Sequence, residues 1–296
     1  MTALRRALLL LLAAAADEQD ERPRLFWMHV QKTGSAFGAT IVRVGCPEFY
    51  METGTTLVQP TLRSWPTYCR RKLVDGSHQH TPYDPSFKGI AVTLLRDPAD
   101  RLVSAYFFGK SHPMFPAGHD FKDLNDVDAA AAFARIAKKN GNRSYIDAYA
   151  RTPGVAHCQT KAVLGRLCGD AAPLEPSDLD EALRRLDEDF LFVGAQAFFP
   201  ESVRTLHAML APELEVDLHR LAESTSRIHR YTAQQRDGAR EDLEMAGFRD
   251  AYDGPLYERG LARFRRAAAR YGVALPEGRE ELFEKRRAPE FRPPPD

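Results

Sequence analysis

The sequence predicts an α/β fold, with a central parallel sheet flanked by helices, and three observations carry that prediction. Apolar runs at Leu25 to Val30, Gly89 to Leu95 and Phe190 to Gly194 are continuous rather than alternating, as in strands covered on both faces. Helix-start signals or helical periodicity follow each run. No segment repeats at a period of roughly 20–50 residues, which excludes a solenoid or propeller.

The 296 residues are 44% hydrophobic and 28% charged, enough apolar mass for a sizeable core. Lys plus Arg and Asp plus Glu are both 41. No whole-chain field therefore favours nucleic acid, and no nucleic-acid partner is expected. A polyanion site would have to be local.

Arg5 and Arg6 precede an apolar run from Ala7 to Ala16, with Asp17 and Glu18 after it. Such a run is too short to span a bilayer and fits a secretory leader ending in small residues. Residues 1–16 are expected to be a signal peptide or short signal-anchor, the only membrane contact foreseen. Residues 17–280 then form one domain, and 281–296 an Arg/Pro-rich mobile tail. A secretory route permits disulfides among Cys46, Cys69, Cys158 and Cys168 and a glycan at the sequon Asn142-Arg143-Ser144.

Within the domain, Leu25 to Val30 reads as a strand feeding the turn Lys32-Thr33-Gly34-Ser35, then a helix to about Val44. Residues 46–88, with five prolines, read as a long loop around a short strand near Leu73 to Asp75. Gly89 to Leu95 is the second buried strand. Asp97 and Pro98 supply an N-cap and an N1 proline, so a helix runs from there to about Phe108. Further helices are expected at 129–139, 144–150, 157–167, 177–187 with Ser177 as cap, and 200–210. Phe190 to Gly194 is the third strand. Tyr257, Leu261, Phe264, Ala268 and Tyr271 recur at helical spacing near the end.

Two stretches could carry chemistry. A strand, the turn at Lys32 to Ser35 and a helix make an anion-binding arrangement, because backbone N–H groups and the positive helix end face the turn. No glycine precedes Lys32 at the spacing of a Walker A loop. The second stretch runs Arg96-Asp97-Pro98-Ala99-Asp100-Arg101-Leu102-Val103-Ser104. Arg96 stands at the carboxyl end of a strand, where open α/β sheets bind ligands. Arg101 and Ser104, three apart on one helix face, would add a guanidinium and a hydroxyl to a phosphate grip. The plainer alternative pairs Arg96 with Asp97 or Asp100.

Together these stretches resemble the sulfotransferases that use 3′-phosphoadenosine 5′-phosphosulfate (PAPS). They are most similar to the Golgi branch acting on polysaccharides, the heparan sulfate/uronyl 2-O-sulfotransferase type. That family has a Pro-Lys-Thr-(Ala/Gly)-(Ser/Thr)-(Ser/Thr) loop on the 5′-phosphosulfate, matched here by Gln31-Lys32-Thr33-Gly34-Ser35-Ala36 with departures at Gln31 and Ala36. Its Arg-Asp-Pro-x-x-Arg-x-x-Ser motif on the 3′-phosphate is matched completely from Arg96 to Ser104. The likeness covers roughly residues 25–272 and takes in Gly76-Ser77-His78-Gln79-His80, His157-Cys158-Gln159-Thr160-Lys161, Leu167-Cys168-Gly169 and Asp253-Gly254-Pro255-Leu256-Tyr257-Glu258.

The resemblance implies a P-loop-like sulfotransferase fold, PAPS as sulfuryl donor, a glycan acceptor and a place in the Golgi lumen or outside the cell. Lys32, Thr33, Gly34, Ser35, Arg96 and Ser104 would bind the nucleotide. Arg230, with Arg227 as the other candidate, would add a contact on its 3′-phosphate or adenine side. In sulfuryl transfer an acceptor hydroxyl needs a base and the leaving phosphate oxygen needs a cation. A neutral imidazole suits the first role and Lys32 the second. His80 is the expected base, His78 orients the acceptor, and the basic cluster Arg63, Arg70, Arg71, Lys72 is a candidate acceptor surface. No third metal ligand stands at an obvious spacing from His78 and His80, so no metal is expected. Two other readings remain open: a nucleotide-dependent phosphotransferase, and a secreted binding protein of this fold without catalysis.

The resemblance also suggests that Cys158 pairs with Cys168, leaving Cys46 for Cys69. Ten residues of unbroken helix would hold the first pair about 15 Å apart, whereas a disulfide needs Cα atoms within about 7 Å. The helix must therefore stop near Leu164, with Gly165 the residue suited to the turn.

Overall fold

The computed structural model describes residues 24–34, 36–45, 73–75, 80–111, 145–151, 155–170, 172–212 and 232–276. Four parallel strands form one sheet: β1 (Leu25–Met28), β2 (Leu73–Asp75), β3 (Ala91–Leu95) and β4 (Phe190–Ala195), in the order β2-β1-β3-β4. Phe26, Trp27 and Met28 stand opposite Ala91, Val92 and Thr93. Every residue of β1 and β3 is buried, as the unbroken apolar runs require.

Helices α1 (Phe37–Gly45), α2 (Pro98–Ser111), α3 (Tyr145–Ala150), α4 (Cys158–Val163), α5 (Pro176–Glu188), α6 (Phe199–Leu210), α7 (Ala233–Met245) and α8 (Asp253–Arg270) accompany the sheet. α8 packs on β3 and β4, α1 on β1, and α6 on α1 and β4. Their apolar sides and the sheet share one core that includes Phe26, Phe37, Phe192, Phe198 and Phe264. A second cluster, with Leu102, Val103, Ile146 and Leu243, joins α2, α3 and α7. Among the described residues no helix is long and apolar enough to cross a membrane.

The helix starting at Pro98 begins as its chemistry dictates, with Asp97 accepting the Asp100 N–H at 3.0 Å. Helix α5 starts one residue earlier than expected and its N-cap is Glu175, not Ser177. Pro176 fixes the N1 dihedral, and Asp178 reaches back to accept the Glu175 N–H at 2.8 Å.

Cys158 and Cys168 are joined, with Cα atoms 4.4 Å apart. The helix between them stops at Val163, with Leu164 as C-cap and Gly165 at φ +85°. Gly165 N–H donates to Ala162 O and Arg166 N–H to Lys161 O, the paired bonds of a Schellman ending. A Cβ at position 165 would lie 2.9 Å from the Tyr83 carbonyl, so the turn accepts only glycine without strain.

Helix α7 is absent from the sequence expectation. The expected helix at 129–139, the leader 1–16, the sequon, the tail 281–296, Cys46 and Cys69 lie outside the described residues.

Candidate functional site

Strand order sets the position of the site. In the order β2-β1-β3-β4 the chain leaves β1 toward one edge of the sheet and later adds β3 on the opposite side. The carboxyl ends of β1 and β3 thus flank the topological switch point, where open α/β sheets form a ligand crevice. The turn holding Lys32 follows β1, and Arg96 is the first residue after β3.

The turn is built for close backbone approach. Lys32 adopts φ +64°, an unusual left-handed conformation for a side-chain-bearing residue, and Gly34 has φ +124°. A Cβ on Gly34 would meet Leu94 Cδ2 at 2.9 Å, so the loop lies directly against β3. Thr33 is buried and its hydroxyl donates to Val30 O at 2.9 Å, closing the turn. Helix α1 then opens with Phe37 N–H on Gly34 O.

Arg96 bridges the two strand ends. Its Nη1 donates to the Lys32 carbonyl at 3.0 Å, and its buried Nε has no hydrogen-bond partner among the described residues. Burial first, and the Arg96 positive charge second, lower Lys32 from its ordinary 10.5 to about 8. Two cationic side chains crowded at one sheet edge are an anion-binding arrangement.

Asp97 and Asp100 do not neutralise Arg96. Arg240 of α7 takes both, at 3.1 Å to Asp97 and in a short contact with Asp100, and it also holds Glu244 on its own helix. Arg101 corrects the sequence expectation. Its guanidinium is 2% exposed, donates to Val155 O at 2.7 Å and lies 4.0 Å from Asp253. It is a core residue rather than part of a phosphate grip, because its side of α2 faces the body of the protein. Ser104, one turn further on, is also largely buried.

His80 is half-buried beside the same strand end. Its ring lies 4.7 Å from that of His29, which stacks on Trp27 at 4.1 Å. His80, His29, Gln31 and the Cys158–Cys168 disulfide line one narrow cleft. Gln31 is 2% exposed, and its Nε2 has no partner among the described residues.

Sequence reasoning left a buried carboxylate network unassigned. Asp253 accepts from Gln159 N–H, Thr160 N–H and Thr160 Oγ1, capping α4 from the start of α8. Asp250 contacts His157 Nδ1 at 2.6 Å and accepts the Asp253 N–H. Burial and the nearby Asp250 charge push the Asp253 carboxyl up, with Arg101 opposing. For Asp250 burial acts upward, but the hydrogen bond and charge of His157 prevail and hold it below the usual carboxylate range.

The structure thus brings Lys32, Thr33, Gly34 and Arg96 together, with His80 beside the residues that lead into the turn. Ser35, His78, Arg70, Arg71, Arg230 and Arg227, with Arg63 and Lys72, lie outside the described residues. No protein-family model matches the chain, and no curated protein matches it significantly.

Proposed function

We propose that this chain is a PAPS-dependent carbohydrate O-sulfotransferase with the P-loop-like sulfotransferase fold. The observation that carries the reading is the meeting of Arg96 with the Lys32 turn across the switch point, while Arg240 occupies Asp97 and Asp100. A motif that was merely structural would tie Arg96 to those acids. The buried Arg96 Nε, which has no hydrogen-bond partner among the described residues, fits a ligand oxygen.

PAPS, when bound, supplies an activated sulfuryl group whose leaving oxygen belongs to a phosphate. Lys32 and the N–H groups of its turn stabilise the negative charge that grows on that oxygen. Arg96 holds the 3′-phosphate, with Arg230 in support; Ser104, buried on the inward side of α2, is left out of this grip. His80 takes the proton of the acceptor hydroxyl, and His78 orients the acceptor. Arg70 and Arg71 meet an acceptor that already carries negative charge. The Cys158–Cys168 disulfide supports a secretory location, in the Golgi lumen or beyond.

The test pairs transfer with binding. Labelled PAPS is offered with a panel of polysaccharides, and adenosine 3′,5′-bisphosphate binding is measured by calorimetry. His80→Ala is expected to lower transfer by roughly 10²- to 10⁴-fold with nucleotide affinity nearly unchanged. Arg96→Ala is expected to weaken nucleotide binding by about 10- to 150-fold, the loss of a charge-assisted hydrogen bond. No transfer to any acceptor and no nucleotide binding would remove the assignment. Transfer of phosphoryl from a nucleoside triphosphate would favour a phosphotransferase, and nucleotide binding without turnover a non-catalytic binder.

A further inference from the structure

We propose that Gln159 is a positioning residue that sets the direction in which Arg96 leaves the sheet. The inference rests on Arg96 being a nucleotide-phosphate ligand. Arg96 is the first residue beyond β3, where a strand's N–H and C=O normally lose their ladder partners. Both of its backbone groups are instead met by one side chain. Arg96 N–H donates to Gln159 Oε1 at 2.9 Å, and Gln159 Nε2 donates to Arg96 O at 2.8 Å. A primary amide presents a donor and an acceptor in one plane, as a neighbouring strand would, and neither leucine nor ionised glutamate can do so.

This pin is itself fixed. Gln159 is fully buried. Its own N–H donates to Asp253 at 3.1 Å, and Asp253 also receives both Thr160 donors. The preceding residue is tied covalently to Cys168. With the peptides on both sides of Arg96 held, its guanidinium can reach Lys32 O while Nε keeps no hydrogen-bond partner among the described residues. Releasing the pin lets the backbone at the strand end rotate, and the guanidinium loses its preorganised direction.

The test is a double-mutant cycle on adenosine 3′,5′-bisphosphate affinity, with PAPS kinetics alongside. Gln159→Leu is expected to weaken bisphosphate binding by about tenfold and to raise the KM for PAPS with kcat within about twofold. In an Arg96→Ala background the same change is expected to have almost no further effect, because its route to the ligand is gone. Gln159→Glu serves if the leucine variant does not fold, since it keeps the volume and the acceptor toward Arg96 N–H and loses the donor toward Arg96 O. Its penalty must likewise vanish in the Arg96→Ala background. Equal penalties with and without Arg96, or unchanged affinity in a folded Gln159 variant, overturn the positioning role while leaving the proposed function standing. Failure of the wild-type protein to bind the bisphosphate removes the proposed function, and this inference with it.

Discussion

Lys32 offers a test that reads the site without any acceptor. Burial and Arg96 hold its ammonium at about 8 in the free protein. A phosphate seated against it would favour the charged form and raise that value, so binding above pH 8 must draw a proton from solution. With a free-state value of about 8, the amine is about 10% neutral at pH 7 and about 75% neutral at pH 8.5. On adenosine 3′,5′-bisphosphate binding Lys32 is therefore expected to take up roughly 0.1 proton at pH 7 and roughly 0.75 at pH 8.5, and affinity to fall about fivefold from pH 8 to 9. Calorimetry in two buffers of different protonation enthalpy measures the uptake directly. Phosphate monoesters, with a second pKa near 6, are still about 10% protonated at pH 7 and can offset the small uptake there, whereas at pH 8.5 they are ionised and the uptake belongs to Lys32.

The same shift acts on the free fold with the opposite slope. Lys32 has a lower value folded than unfolded, so below about 8 both states are protonated and burial of the charge weakens the fold by a constant amount. Between about 8 and 10.5 the folded lysine has lost its proton and the unfolded one has not, so stability rises with pH across that window. Lys32→Met should abolish both the proton uptake and this rise. Binding that takes up no proton at pH 8.5 would show that the ligand does not sit on Lys32, and the reasoning from burial and Arg96 to an anion site would fail.

Two further outcomes follow from the elements that support the site. Asp253→Ala leaves the Gln159 and Thr160 donors without their acceptor and the buried Arg101 guanidinium without its counter-charge and is expected to cost about 3–5 kcal/mol in urea unfolding; a loss below about 1 kcal/mol would show the network to be dispensable. Opening the Cys158–Cys168 bond frees a ten-residue separation and is expected to cost about 2–3 kcal/mol in the loop-entropy picture, so an unchanged melting temperature after verified reduction would count against it.

What could be read from sequence follows from how each element hides its polar groups. β1, β3 and β4 were legible because parallel strands covered on both faces leave unbroken apolar runs. The start of α2 was legible because Asp97 and Pro98 are local signals. α7 was not: it is mostly polar, carries Gly238 in its middle and buries only Ala239 and Leu243. Its one clear mark was the box at its start, Thr232 accepting from Gln235 N–H while Gln235 accepts from Thr232 N–H. Asp253 misled in another way. An aspartate opening a helix reads as serving its own N-terminus, and here it serves that of α4, which lies far away in sequence.

The motif around Arg96 shows why residue type and spacing stop short of a site. Nine residues contain Arg96, Asp97, Asp100, Arg101 and Ser104, two cations and two anions that could cancel in several ways. Helical spacing put Arg101 beside Ser104, yet it could not say whether that face looked toward a ligand or toward Val155 and Asp253. The matter is decided by residues outside the motif. Arg240, about 140 positions away, takes Asp97 and Asp100, and Gln159, 63 positions away, holds the Arg96 backbone. The Lys32 carbonyl then receives the guanidinium only because β1 and β3 are neighbours. Each of these contacts depends on strand order and helix placement, so the charge that is left to meet a ligand is a property of the folded chain.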